Sequence, residues 1–216
     1  MTEYDPTRIF LSLSDDEDDD ENPEPEEGSK QESGYQRALA DKLLKSRTII
    51  ISRQVDDKLA AAVISQLRIL EDDDDKKPIT FIVNSPGGSA DSGFAIRDYA
   101  RFVKPPVRSI VCGICASAAV MIHLGADKDN RYCTPSSRFL LHQPSMSARG
   151  QASDLEILSA EIDRIKLMYN QIVSDETGRT VKQIEKDVHR DFWIPAENAT
   201  EYGIVKAVVK SRNEIE

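Results

Sequence analysis

A serine between an apolar strand pattern and an apolar helical pattern is the first residue that could perform chemistry. Ser117 follows the run Cys112–Ala116 and precedes Ala118 and Ala119. At a helix start its hydroxyl lies beside unpaired N–H groups and the positive end of the helix dipole, which suits a nucleophile. A helix-capping serine occupies the same position, and the local sequence alone favours that interpretation.

A serine needs a general base to act as a nucleophile near neutral pH, and the chain has three histidines. His142 follows a short apolar strand pattern, at the kind of strand end where sites of α/β proteins form. His123 belongs to the helical pattern that Ser117 begins and is predicted to point away from it. His189 lies near a predicted helix end beside Arg190. His142 is therefore the candidate base.

An acid that orients a histidine completes this type of chemistry. Asp191 precedes Phe192-Trp193-Ile194, and we expect this aromatic bulk to shield its carboxylate partly. Such an acid holds an imidazole in place and stabilises its charged form.

A glycine turn supplies a possible anion site. Pro86-Gly87-Gly88 comes soon after the apolar β-type run Ile79–Val83. Glycines leave backbone N–H groups unobstructed, and such groups can hold a developing negative charge. The turn alone is a weak signal, since most turns of this composition bind nothing.

The net charge of −10 belongs to one segment of the 216-residue chain. Residues 15–27 contain ten acids and no base, and the remaining 28 acids balance 28 Lys and Arg. We predict that residues 1–40 form a disordered acidic segment and that residues 41–216 form one domain. An acidic segment also argues against binding to nucleic acid.

Composition indicates a soluble protein of the cytoplasm. No apolar stretch approaches a membrane span, and the N-terminus lacks the pattern of a signal or transit peptide. The odd number of cysteines argues against a disulfide framework. Cys112 and Cys115 have the spacing of half a zinc site or of a redox pair, but no second pair exists. We therefore expect buried, apolar cysteines, and neither a metal nor a cofactor.

Strand and helix patterns alternate along the domain, which predicts an α/β fold with a mostly parallel sheet and flanking helices. The predicted strands read as buried apolar runs. The predicted strands are 48–51, 79–83, 107–112 and 139–141, and the predicted helices are 57–70, 93–103, 117–125, 153–177, 181–188 and 196–203, with 204–209 closing the fold.

The helix predicted over 153–177 is the longest, and one apolar stripe runs along it. It either projects from the domain and pairs with another subunit or lies within a large core. The pattern alone leaves both interpretations open.

Together these motifs resemble the ClpP caseinolytic proteases, from about Leu43 to about Val209, in the order and spacing of that family. Several motifs in register make the resemblance highly specific. The motifs are Asn84-Ser85-Pro86-Gly87-Gly88-Ser89, Gly113 with Ala116-Ser117, Pro135-Ser136-Ser137-Arg138, His142-Gln143-Pro144, Gly150-Gln151-Ala152-Ser153-Asp154, and Arg190-Asp191 with Glu201-Tyr202-Gly203.

The resemblance implies a serine endopeptidase of the Clp type. Ser117 resembles the nucleophile, His142 the general base and Asp191 the orienting acid. The backbone N–H groups of Gly88 and Ala118 occupy the positions of the family's oxyanion hole.

The resemblance also implies the ClpP/crotonase-like fold, with residues 153–177 as a long projecting handle helix. It implies two stacked heptameric rings, homo- or hetero-oligomeric, that enclose the sites and receive unfolded polypeptides. Because the chain has no phosphate-binding Gly-x-x-x-x-Gly-Lys motif, unfolding requires a separate AAA+ unfoldase such as one of the ClpX or ClpA/ClpC type.

Several positions depart from the family and motivate two alternatives. Ala118-Ala119 replaces the usual Met-Gly, Met146-Ser147 replaces a usual Gly-Gly pair, and residues 1–40 match nothing in the family's axial-loop region. One alternative is a weakly active or non-catalytic ring subunit that assembles with a sister chain. A more remote alternative is a crotonase-like acyl-CoA enzyme, which the Ser117, His142 and Asp191 set opposes.

Overall fold

The structure is a computed structural model, and it describes residues 38–145 and 149–215. Residues 1–37 of the acidic segment predicted over 1–40 lie outside these ranges, so the disorder predicted for them stays a prediction. Met146 and Ser147 also lie outside the described residues. The first described element, helix α1, covers 38–45.

Within the described residues, seven strands form one sheet, which confirms the predicted α/β fold with a mostly parallel sheet. The main path runs β1-β2-β3-β4-β7, and β5 pairs with β3 and with β6. Each pairing is parallel except the antiparallel β5–β6 pair. The strands are β1 Thr48–Ile51, β2 Ile79–Ser85, β3 Val107–Ala116, β4 Arg131–Cys133, β5 Arg138–Leu141, β6 Phe192–Pro195 and β7 Ala207–Val208.

In the described part of the chain, six further helices connect the strands, close to the predicted positions. They are α2 Asp57–Asp73, α3 Ala90–Phe102, α4 Ala118–His123, α5 Ala152–Thr177, α6 Val181–Asp187 and α7 Ala196–Tyr202. Local chemistry sets several ends. The Leu59 N–H donates to Asp56 Oδ1 at 2.7 Å, which caps the start of α2. Gly203 ends α7 in the left-handed region with φ 88°.

The strands are less buried than their apolar composition predicts. In β2, Ile79, Phe81 and Val83 are buried, whereas the residues between them are only partly buried. Ile50 of β1 is 40% exposed between the buried Ile49 and Ile51. The prediction of fully buried strands was wrong for β1 and β2, because only one face of each is covered by the core.

Two short strands were not predicted, and one strand is longer than predicted. β3 continues to Ala116, so it leads directly into Ser117. β4 and β6 have three and four residues, too few for a periodic signal in sequence. β6 forms because it pairs with β5 in antiparallel register, with Phe139 opposite Ile194.

Helix α5 projects from the domain over most of its 26 residues. Its buried residues all lie in the last third, from Tyr169 to Glu176. Apolar side chains nearer its start are exposed, including Ile157 at 72% and Leu167 at 57%. The projecting interpretation of the apolar stripe is therefore correct, and the core-helix interpretation is wrong.

A buried ion cluster anchors the base of α5. Glu176 accepts from Arg131, whose side chain is 1% exposed, and from Arg101 at 2.5 Å and Arg97 at 3.3 Å. These partners come from α3 and β4. The cluster thus fixes where α5 leaves the domain, and the helix forms one wall of the cavity described next.

Candidate active site

Ser117 occupies a strained turn between β3 and α4. Its φ of 54° and ψ of −123° lie in a region that non-glycine residues rarely adopt. Its N–H donates to Leu140 O at 2.9 Å, and its carbonyl accepts from the Val120 N–H at 2.9 Å. The side chain makes no capping hydrogen bond. The helix-cap interpretation was therefore wrong, and the hydroxyl remains available.

The glycine turn packs directly against this strained serine. Gly87 has φ 87°, and a Cβ there would lie 2.7 Å from Ser117 Cβ and would also overlap Ala116 O. Gly88 has φ 154°, and a Cβ there would overlap Val55 O. Only glycine fits at these two positions, and the close approach brings the two backbone turns together.

This turn leaves one N–H group unused. The Gly87 N–H donates to Ser85 Oγ at 3.2 Å, and the Ser89 N–H donates to Val55 O at 2.8 Å. Between them, the Gly88 N–H donates to no other described residue. Such a donor beside a reactive hydroxyl can stabilise an oxyanion.

The Ala118 N–H is a second unused donor within the described part of the chain. It lies in the first turn of α4, where helix geometry leaves N–H groups without an internal partner. Ala118 and Gly88 line one cavity together with Ser117 and His142. The structure thus brings four of the five predicted site residues to a common space.

His142 follows β5 and faces Asp191. Its Nδ1 lies 3.7 Å from Asp191 Oδ1, which is longer than a hydrogen bond. Its Nε2 is buried and has no hydrogen-bond partner within 38–145 and 149–215. Neither Ser117 nor His142 bonds the other, although both line the cavity. Catalytic hydrogen bonds are often long without substrate, so a small movement can engage them.

Asp191 is exposed, against expectation. Its side chain is 66% exposed, so the predicted aromatic shielding was wrong. Along β6 the side chains alternate: Phe192 packs on Tyr202 with ring centroids 5.6 Å apart, and Trp193 lies under the Arg138 guanidinium. Both aromatic rings therefore pack against other residues, and the Asp191 carboxylate is left exposed to solvent.

The other two histidines lie apart from the cavity. His123 is fully buried: its Nε2 donates to Ile204 O at 3.1 Å, so its Nδ1 accepts from Ser109 Oγ at 2.8 Å. Burial, with a smaller effect of nearby Arg131, lowers the pKa of His123 to about 3. It is a neutral structural residue. His189 is exposed.

The three cysteines are free thiols. Cys115 and Cys133 are buried and Cys112 is partly buried, as expected of small apolar side chains. Burial raises the pKa of all three, and that of Cys133 to about 11. Within the described residues no group of three or more metal-binding side chains occurs. Likewise, no helix there is long and apolar enough to cross a membrane.

The cavity beside Ser117 has a volume of about 280 Å³. Its walls are mainly apolar, and they come from α3, α4 and α5. One carboxylate, Asp91 in the first turn of α3, is exposed at its edge. The principal apolar residues are Phe94, Ala118, Met121, Ile162, Ile165 and Tyr169.

The sequence reasoning missed most of this lining, including Asp91 and Tyr169. Asp91 comes only three residues after Gly88, which is the one signal that could have found it. Nothing local relates Tyr169 to Ser117, because α5 meets α4 only through the tertiary fold.

Comparison with known proteins decides the family. The family model described as Clp protease matches residues 29–212. The chain belongs to the Clp protease family. A relative from Pseudomonas aeruginosa, named ATP-dependent Clp protease proteolytic subunit 2, is 43% identical over 189 residues, which cover 88% of this chain and 94% of the relative. A Treponema denticola protein of the same name is 38% identical over 192 residues, which cover 89% and 96%.

A solved structure supports the same fold. A mutant of ClpP1 from Listeria monocytogenes superposes with a TM-score of 0.77 at 36% identity, covering 82% of this chain and 99% of that chain. The predicted ClpP-type fold is thereby confirmed. The family membership also favours peptide chemistry over the crotonase-like acyl-CoA alternative for this Clp protease homologue.

Proposed function

We propose that this chain is the proteolytic subunit of an ATP-dependent Clp protease and acts as a serine endopeptidase. The observation that carries the proposal is one cavity lined by Ser117, His142 and the unused N–H donors of Gly88 and Ala118. These are the parts that acyl transfer needs: a nucleophile, a base and an oxyanion site.

The proposed reaction begins when Ser117 Oγ attacks a peptide carbonyl. His142 Nε2 takes the hydroxyl proton, and the Gly88 and Ala118 N–H groups bind the oxyanion. His142 then gives that proton to the departing amine as the C–N bond breaks. Water, activated by the same nitrogen, hydrolyses the acyl-enzyme. Because His142 Nε2 has no described partner, no existing hydrogen bond has to break before it takes the proton.

Asp191 is assigned the orienting role. Shortening the 3.7 Å separation from His142 Nδ1 to a hydrogen bond fixes the tautomer that leaves Nε2 free to accept. The acid is exposed, so this contact is expected to form fully only when a substrate or a neighbouring subunit excludes water.

We further propose that the chain assembles into two stacked heptameric rings. The exposed apolar residues of α5, among them Leu155, Ile157 and Leu167, provide a surface for contact between the rings. Sites enclosed in this way receive only unfolded chains, which an AAA+ unfoldase such as one of the ClpX or ClpA/ClpC type delivers. The rings are either homo-oligomers or contain a sister chain.

A second candidate is a weakly active or non-catalytic ring subunit that works beside a sister chain. The observation that favours it is that His142 forms a hydrogen bond with neither Ser117 nor Asp191. Assembly with a sister ring could bring His142 within hydrogen-bond distance of Ser117 and Asp191.

A fluorophosphonate probe tests the peptidase directly, because it reacts with an activated serine. The purified protein is expected to become labelled, and Ser117→Ala is expected to abolish labelling. Ser145→Ala is the matched control, since Ser145 lines the same cavity and should not carry the label. No labelling of a ring of fourteen subunits, alone or with its sister chain, would favour the non-catalytic candidate. A monomeric native mass under all conditions would exclude the ring.

A further inference from the structure

The Gly88 N–H is a useful oxyanion donor only while the glycine turn keeps one orientation. Gly87 and Gly88 both have positive φ values, 87° and 154°. Glycines have no Cβ, so the peptide between them rotates at little steric cost. Such a rotation would carry the Gly88 N–H away from Ser117. An oxyanion site built on this turn therefore needs other groups that fix the peptide.

The Gly87–Gly88 peptide is held from the side opposite its N–H. The Val55 N–H donates to Gly87 O at 2.9 Å. In a planar trans peptide the carbonyl and the following N–H point in opposite directions, so fixing Gly87 O also fixes the Gly88 N–H. Gly88 lines the cavity and Val55 does not. The Gly88 N–H is thus directed away from Val55.

The peptides on either side are held as well. The Gly87 N–H donates to Ser85 Oγ at 3.2 Å, and the Ser89 N–H donates to Val55 O at 2.8 Å. Ser85 Oγ in turn donates to Arg53 O at 2.5 Å. Three consecutive peptides are therefore tied to the segment between β1 and α2. In this set of contacts Ser85 contributes a side chain, whereas the other groups belong to the backbone.

A structural role for Ser85 does not by itself account for this arrangement. Ser85 is 0% exposed, and a buried hydroxyl generally has hydrogen-bond partners. The buried Ser137 shows such a role: its hydroxyl accepts from the Gly113 N–H at 3.3 Å and donates to Val111 O at 2.8 Å. Ser85 differs because the peptide that it holds is next to the one that carries the proposed oxyanion donor.

We propose that Ser85 is a positioning residue of the peptidase, whose hydroxyl links Arg53 O to the Gly87 N–H and keeps the Gly88 N–H directed at the oxyanion. The inference rests on the proposed peptidase function. Without the hydroxyl, the turn is held through Val55, and the Gly88 N–H spends less time in the productive orientation. Substrate binding is unaffected, because Ser85 does not line the cavity, but the transition state loses part of a donor.

Ser85→Ala in the full-length protein tests the inference with one short peptide substrate. Endpoint labelling by the fluorophosphonate probe counts the competent sites, so kcat is expressed per labelled site. We expect kcat per site to fall about tenfold, with KM within about twofold, because only the transition state uses the oxyanion donor. Ser137→Ala is the matched control, since it removes a buried hydroxyl that bridges the same kinds of backbone group. It should lower the melting temperature but leave kcat per site within about twofold.

A peptide aldehyde separates positioning from a purely structural role. The Ser117 hydroxyl adds across the aldehyde carbonyl to give a hemiacetal, whose oxygen lies where the oxyanion forms. A mimic of the transition state binds through the groups that act in the transition state. Ser85→Ala should therefore weaken aldehyde inhibition by about the same factor as it lowers kcat. A purely structural role would reduce the labelled fraction and leave the inhibition constant of the competent sites unchanged.

Ser85→Cys provides a second variant of nearly the same size. A thiol is a weaker donor and acceptor than a hydroxyl, so its kcat per site should lie between those of the wild type and Ser85→Ala. The measurement is made in reducing buffer, because Cys115 lies opposite Ser85 in the sheet. Where Ser85→Ala does not fold, Ser85→Cys carries the test, and a kcat per site equal to that of the wild type overturns the inference.

The remaining outcomes separate this inference from the function on which it rests. An active wild type with a kcat per site within twofold in Ser85→Ala overturns only the inference. A higher KM with an unchanged kcat does the same, since it would assign Ser85 to substrate binding. No peptide hydrolysis and no probe labelling of the wild type overturn the proposed function and this inference with it.

Discussion

His142 Nδ1 lies 3.7 Å from Asp191 Oδ1, just beyond hydrogen-bond distance, in a protein where the other nitrogen of the same ring is buried without a described partner. The two residues come from β-strand ends that the antiparallel β5–β6 pair places side by side. The sheet therefore places His142 beside Asp191, but no hydrogen bond joins the two side chains. Substrate binding or ring assembly needs to shorten the distance between the two atoms by less than about 1 Å to form that hydrogen bond.

The first prediction concerns Asp191. Asp191→Asn keeps the shape of the side chain but removes the charge that stabilises a protonated His142, so kcat for a short peptide should fall by about 10²-fold or more. KM should change little, because Asp191 does not line the cavity. Glu185→Gln is a suitable control, because Glu185 is an exposed acid of α6 that does not line the cavity. A kcat within twofold of the wild type would remove Asp191 from the mechanism.

The sequence predicted the elements better than the contacts between them. The alternation of strands and helices follows from local periodicity, and it was confirmed. The exposure of Asp191 was mispredicted because it depends on β6, a strand that exists only through its pairing with β5.

The sequence likewise predicted individual residues of the candidate site better than the contacts between them. The local sequence favours a helix cap at Ser117, whereas in the structure Ser117 has a φ of 54° and its hydroxyl makes no capping hydrogen bond. Backbone strain of this kind is maintained by the surrounding structure, and no local sequence pattern reveals it. Asp91 and Tyr169 meet Ser117 in one cavity although α5 and α3 are far apart in sequence.

The second prediction concerns the packing of the two turns. Gly87→Ala adds a methyl group that would lie 2.7 Å from Ser117 Cβ, at a φ of 87°. It should destabilise the fold by about 1–3 kcal/mol and reduce probe labelling of Ser117. Gly178→Ala is the matched control, since Gly178 has φ 77° but nothing lies within 4 Å of its added Cβ. Thermal unfolding and labelling of both variants measure the effect. If the two variants label equally well, the contact with Ser117 has no part in positioning it.

The third prediction concerns the buried ion cluster. Glu176→Gln leaves Arg131, Arg101 and Arg97 without their shared carboxylate. Breaking a buried pair in this way should lower the free energy of unfolding by about 3–5 kcal/mol. Denaturant unfolding measures it, with Glu161→Gln as the control for an exposed pair, which should change stability little. Equal effects of the two changes would mean that the cluster does not anchor α5.

The fourth prediction is a pH dependence that arises from His123. Burial lowers its pKa in the folded protein to about 3, below the usual value of 6.5. As the pH falls below 6.5, the unfolded chain binds a proton at this residue and the folded protein does not, so stability decreases with falling pH. Between pH 6 and 5 this residue should contribute a slope of roughly 1 kcal/mol per pH unit.

His123→Gln isolates that contribution, because glutamine can still donate to Ile204 O and does not titrate. The variant is expected to be less stable than the wild type at pH 7 but to lose stability more slowly from pH 6 to 5. His189→Gln is the matched control for the loss of a histidine outside the core, since His189 is exposed. Denaturant unfolding at each pH gives the three slopes. Parallel slopes for the wild type and His123→Gln would mean that His123 titrates alike in the folded and unfolded chain, which its complete burial and its two hydrogen bonds argue against.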